Sequence, residues 1–142
     1  MKVKLHEEIK EYCKILKLKG IHEHFEEAMS EAVDYEDFLH RLLSFEMEEK
    51  DKRSVECRIR NAHFPYKQYL NDIEVNCLPK DMQKKLPELA TLNFIDKGKN
   101  IIMTGNPGTG KTMVSIALGL KACMAGYKVL FTTVPLLVTA LK

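Results

Sequence analysis

The sequence has little that would take it out of an ordinary soluble compartment. No apolar run approaches the ~18 residues of a membrane span. The opening MKVKLHEEIKEYCK carries acids where a secretion signal would be apolar. The four cysteines, Cys13, Cys57, Cys77 and Cys123, are scattered and form no C-x-x-C pair, so they read as reduced packing thiols and not as a metal or disulfide framework. A cytoplasmic protein without membrane contact is the expectation. Strong charge of one sign is also missing. The net charge is +2, with twelve Lys/Arg against fifteen Asp/Glu up to residue 62 and ten against five beyond it. Neither half is extreme enough to predict nucleic-acid binding from charge alone. One absence is local: no Asp or Glu follows Thr112.

What is present centres on Lys99–Thr112, KNIIMTGNPGTGKT. Gly105, Gly108, Gly110, Lys111 and Thr112 fill the pattern G-x-x-x-x-G-K-[ST] of a phosphate-binding loop, with Asn106, Pro107 and Thr109 between them. Glycines allow the tight turn and the close backbone approach to an anion. Successive amides and the amino end of the following helix can then face phosphate oxygens. Lys111 is the candidate for the β- and γ-phosphates, and the Thr112 hydroxyl for Mg²⁺. The flanks agree. Asn100–Thr104 is an apolar run fit for a buried strand, Met113–Ala125 has helical apolar spacing closed by Gly126, and Lys128–Thr133 is a second strand-like run.

Upstream the chain reads as helical. Apolar spacing predicts one helix over residues 3–18, stopped by Gly20, and another from Ile21 to Ala32, with His22 and His24 on different faces as surface residues. Asp34 and Asp37 resemble a capping box opening a long helix from Tyr35 to Ala62. Its second half, EEKDKRSVECRIRN, fits a solvated face laced with i, i+4 ion pairs. A sharper reading has Arg58 and Arg60 contacting a nucleic-acid backbone. The helix must loosen before Pro65. Residues 63–79 form a connector, Asp81–Phe94 a helix kinked at Pro87, Asp96–Gly98 a turn, and Pro135 sits in the first turn of a last helix.

The loop GNPGTGKT, the ALG-containing helix and GYKVLFTT resemble AAA+ ATPases. With KGIHEHFEEAM, DFLHRLLSFEMEEKDKR, RIRNAHFP followed by Lys67, and LATLNFIDKGKNIIMTG the likeness narrows to IstB-like transposition helpers, relatives of DnaC-type helicase loaders. Asn106 stands where proline is common in that loop. The expected fold is therefore α/β: a helical N-terminal domain over 1–63, then the first part of a P-loop (AAA+) parallel-sheet domain over 64–142, truncated.

The resemblance implies ATP and Mg²⁺ as cofactors, a transposase and double-stranded DNA as partners, homo-oligomers, and adenine near Phe64–Tyr69. It supplies no counterpart for the family's Walker B acid, sensors or arginine finger. ATP binding without appreciable hydrolysis by this chain is expected. A helicase loader, a helical partner-binding module acting without ATP, and a small-molecule P-loop kinase are the other readings.

Overall fold

The structure, a computed structural model, describes residues 2–142. Its elements are α1 (Lys2–Ile15), α2 (Lys19–Glu31), α3 (Tyr35–Asn61), α4 (Lys80–Leu89), α5 (Asn93–Asp96), α6 (Lys111–Met124) and α7 (Val134–Ala140), with 3₁₀ turns at Leu70–Asp72 and Val75–Cys77. The chain divides into two compact units, Met1–Ser54 and Val55–Lys142.

In the first unit, Phe25, Ala28 and Leu42 form the core, with Ile9, Ile21, Phe38 and Phe45 packed against them. Gly20 does not stop a helix; it lies inside α2, buried, and a Cβ there would meet the Phe45 carbonyl oxygen and, at 2.7 Å, the Glu46 Cα. The residue that ends α1 in the left-handed region is Lys17, at φ 58°. Leu18 N donates to Cys13 O at 2.8 Å and Lys17 N to Lys14 O at 3.2 Å, the paired bonds of a Schellman turn. Leu18 offers α2 no side-chain cap. Glu46, 4% exposed, serves in its place from α3: its Oε2 accepts the Ile21 amide at 3.3 Å and its Oε1 the Arg53 guanidinium at 3.2 Å. A carboxylate against the orphan amides of a helix start is favourable. Asp34 caps α3 as expected, accepting the Asp37 amide at 2.8 Å. His24 is half-buried, stacked on Phe45 with centroids 4.4 Å apart.

In the second unit α6 is the centre. Val114, Ile116, Ala117, Leu118, Leu120, Ala122 and Cys123 are all buried, so the helix is apolar around most of its circumference, as a central helix must be. Ile73, Leu78 and Leu86 pack on Val114, Ala117 and Leu118, flanked by Met82, Leu89, Ile101 and Met103.

The expected parallel sheet is not formed: no strand occurs among the described residues. Burial does alternate, with Ile101 and Met103 half-buried around an 86% exposed Ile102, and Val129 and Phe131 half-buried around a 63% exposed Leu130. A strand, however, is a hydrogen-bonded ladder, not an alternation. Here Phe131 N donates to Ala62 O at 2.8 Å, beyond the end of α3, and among the described residues neither run pairs with the other. The α/β class therefore gives way to an all-helical arrangement with two irregular runs flanking α6.

Candidate nucleotide-binding site

The loop before α6 owes its shape to three glycines at positive φ: Gly105 at 146°, Gly108 at 78° and Gly110 at 82°. Gly110 is the N-cap of α6, and it has a second constraint. A Cβ at that position would lie 2.8 Å from Leu78 Cδ2, so the buried Leu78 packs directly under the mouth of the helix. Thr109 closes the loop internally, its hydroxyl donating to Asn106 O at 2.9 Å.

Lys111 folds back across the loop. Its Nζ donates to Asn106 O at 2.7 Å, to Gly105 O at 2.9 Å and to Thr109 Oγ1 at 3.1 Å. All three donors of the ammonium are thereby directed over the glycine turn. The amides behave in the opposite way. Among the described residues, none from Gly105 to Met113 donates to a protein acceptor; the first intrahelical bond is Val114 N to Gly110 O at 2.9 Å. A ring of unused amides at a helix start, overlaid by an ammonium, is a site for an anion. Thr112 is exposed beside it, and Ser115 Oγ turns inward to Lys111 O at 3.0 Å.

Lys111 also lies between two concavities. One of about 440 Å³ is lined by Asp81, Lys85, Thr104 and Thr109 among others. The other, about 880 Å³, is lined by Phe94, Thr112, Ser115 and Phe131 among others. Asp81, Lys85 and Leu78 have no signal in the sequence pattern; they reach the loop because α4 and the turn before it pack on α6.

The far end of α6 is fastened as firmly. Gly126, at φ 101°, ends it in a Schellman turn, with Tyr127 N bonded to Ala122 O at 3.0 Å and Gly126 N to Cys123 O at 3.2 Å. Tyr127 Oη donates to Asp96 Oδ1 at 2.6 Å, and that bond pushes the phenol's pKa up. Arg58 Nε donates to Cys123 O at 2.8 Å, placing a cation at the negative end of the helix. Of the two arginines singled out for nucleic acid, then, Arg58 is half-buried with its Nε on a main-chain carbonyl, whereas Arg60 is exposed. Phe64 packs against Gly119, where a Cβ would come within 2.9 Å of its ring, and lies 6.2 Å from Phe131. Gly119 is two turns along α6 from Lys111, whereas Leu78 is in contact with the loop itself.

The family model for IstB-like ATP binding proteins matches residues 12–142. An ATP-binding protein named for insertion sequence IS5376 of Geobacillus stearothermophilus is 36% identical over 140 residues, covering 96% of this chain and 56% of the relative. One named for IS21 of Pseudomonas aeruginosa is 34% identical over 130 residues, covering 89% and 49%. An IS21-like counterpart in Bacteroides fragilis is 29% identical over 144 residues, covering 99% and 55%. The chain thus spans about half the length of the curated relatives it matches. With glycine loop, lysine and helix in place and the match running through both units, the chain belongs to the IstB-like ATP binding protein family.

Proposed function

We propose that this chain binds ATP at Gly105–Thr112 and serves as a helper in insertion-sequence transposition, acting with a transposase on double-stranded DNA. The observation that carries the nucleotide assignment is the pairing of unused amides from Gly105 to Met113 with Lys111 Nζ held across the same loop. On binding, phosphate oxygens replace the Gly105 and Asn106 carbonyls as acceptors for Lys111, and the loop amides supply the remaining donors. Mg²⁺ travels with the nucleotide, neutralising phosphate charge. The Thr112 hydroxyl, exposed at the start of α6, is the group that would ligate it. The transposition role is supported by the names of the relatives, all ATP-binding proteins of insertion sequences. A homo-oligomer assembled on DNA completes the reading.

Turnover is a separate matter. Hydrolysis needs a carboxylate completing the Mg²⁺ site and a group orienting the attacking water. No Asp or Glu follows Thr112 in the sequence. We infer nucleotide binding and assign no hydrolytic residue.

The test is a titration of Mg·ATP against wild type and Lys111→Ala. A charge-assisted contact of about 1.5–3 kcal/mol corresponds to roughly a tenfold to hundredfold weaker affinity in the variant. Equal affinities would remove the assignment.

A further inference from the structure

The arginines of this chain divide by what they do. Arg41 bridges Asp37 and Glu31, Arg53 reaches Glu46, and Arg58 holds Cys123 O. Arg60 differs: among the described residues its side chain has no hydrogen bond or ion pair, and the same holds for His63 and Lys67. These three exposed groups are brought together by the turn that ends α3. With Glu56, Ile59 and Phe64 they line a concavity of about 460 Å³. Three side chains able to carry positive charge face a single carboxylate over an apolar floor.

The local backbone explains why they converge. Arg60 is in the last turn of α3, and His63 follows at φ 58°, a left-handed conformation that non-glycine residues adopt at a cost. That turn reverses the chain so that Lys67 returns to the side of Arg60. Phe64 is seated against Gly119 of α6, and this anchors the turn to the body of the unit. Arg60 and Lys67, held together without hydrogen-bonded partners, repel one another, so the arrangement is suited to an external anion of matching extent. A planar guanidinium with unused donors suits a phosphate in particular.

We propose that Arg60, His63 and Lys67 form a phosphate-binding site, separate from the nucleotide loop, that takes the backbone of duplex DNA. The proposal rests on the reading of DNA as a partner. It also separates Arg60 from its neighbour Arg58: Arg58 steadies the carboxyl end of α6, and Arg60 with Lys67 meets the phosphates. His63 and Lys67 thereby enter the DNA site beside Arg60.

The experiment measures binding of a short labelled duplex to the 142-residue chain across a salt series with Mg·ATP present. Wild type is compared with Arg60→Gln, Lys67→Gln and the double variant. All are exposed substitutions without partners to lose, and ATP affinity is measured in parallel. Each phosphate contact removed should reduce the slope of log K against log salt by about 0.9, so the double variant should lose roughly twice that. Duplex binding with an unaltered slope in the double variant would overturn the proposal and leave the DNA reading standing. Absence of duplex binding by wild type that binds ATP normally would overturn both. A third arm follows the His63 ring resonances by NMR. Perturbation by duplex and none by millimolar inorganic phosphate supports the polymer backbone as occupant, whereas equal saturable perturbation by inorganic phosphate would assign the site to a free anion and overturn the proposal.

Discussion

Replacing Gly110 by alanine tests how the loop is held. Two separate costs meet at this residue. Its φ of 82° puts an L-residue in the left-handed region, about 1–2 kcal/mol. The new methyl would also sit 2.8 Å from Leu78 Cδ2, and Leu78 is 5% exposed within the core that includes Val114 and Ala117. Displacing a packed leucine adds roughly 1 kcal/mol, at the lower end of overpacking costs. Gly110→Ala should therefore destabilise the second unit by about 2–3 kcal/mol, read by urea unfolding. It should also weaken ATP binding, because the loop amides lose their common direction. A double-mutant cycle separates the two costs. Leu78→Ala alone costs about 2–5 kcal/mol through lost burial and a cavity. In the double variant the methyl occupies part of that space, so the combined loss should fall short of the sum by about 1 kcal/mol, while the backbone cost remains. Additivity within ~0.3 kcal/mol would refute the Leu78 contact. An unfolding midpoint and ATP affinity unchanged in Gly110→Ala would refute the loop conformation itself.

Other substitutions have opposite expected signs. Lys17→Gly should stabilise the first unit by about 0.5–1 kcal/mol in thermal unfolding, because Lys17 occupies the left-handed position of a Schellman turn; a loss would contradict that turn. Gly20→Ala, which in an open helix would gain about 1 kcal/mol, should instead cost roughly 1–3 kcal/mol because both atoms its Cβ meets are backbone and cannot swing aside. A stabilised variant would show that α2 and α3 are not in close contact there. Tyr127→Phe tests a pH dependence. The Asp96 bond raises the phenol's pKa in the folded state, so its stabilisation is complete below the unfolded value of ~10 and is lost as pH rises through the higher folded one. Wild type and variant should converge in stability at strongly alkaline pH, and a constant difference across pH 7 to 12 would contradict the bond.

Helix α3 shows how much local pattern can carry. Asp34 and Asp37 mark its start, its apolar positions follow the helical repeat, and the observed span Tyr35–Asn61 falls one residue short of the expected end. Gly126 was equally legible, because a glycine after an apolar helix has one common local role. Gly20 was not, since a glycine between two helical patterns serves equally as a stop or as a place of close approach. Only the position of the Phe45 backbone decides between them. Glu46 is a similar case: a carboxylate on an apolar stripe acquires its purpose from the Ile21 amide on another helix.

The glycine loop, its lysine and the helix behind it were determined locally, because dihedral freedom, charge and helical periodicity all act within a dozen residues. The runs around Ile102 and Leu130 carry strand-like residues but have no ladder, since β structure depends on a partner that neighbouring residues cannot supply. Tertiary structure likewise decided that Arg58 holds the end of α6 while Arg60 turns to His63 and Lys67. Two arginines two residues apart on a helix are alike in sequence, but they point in directions about 200° apart, and what each one faces belongs to the packing of the chain around them.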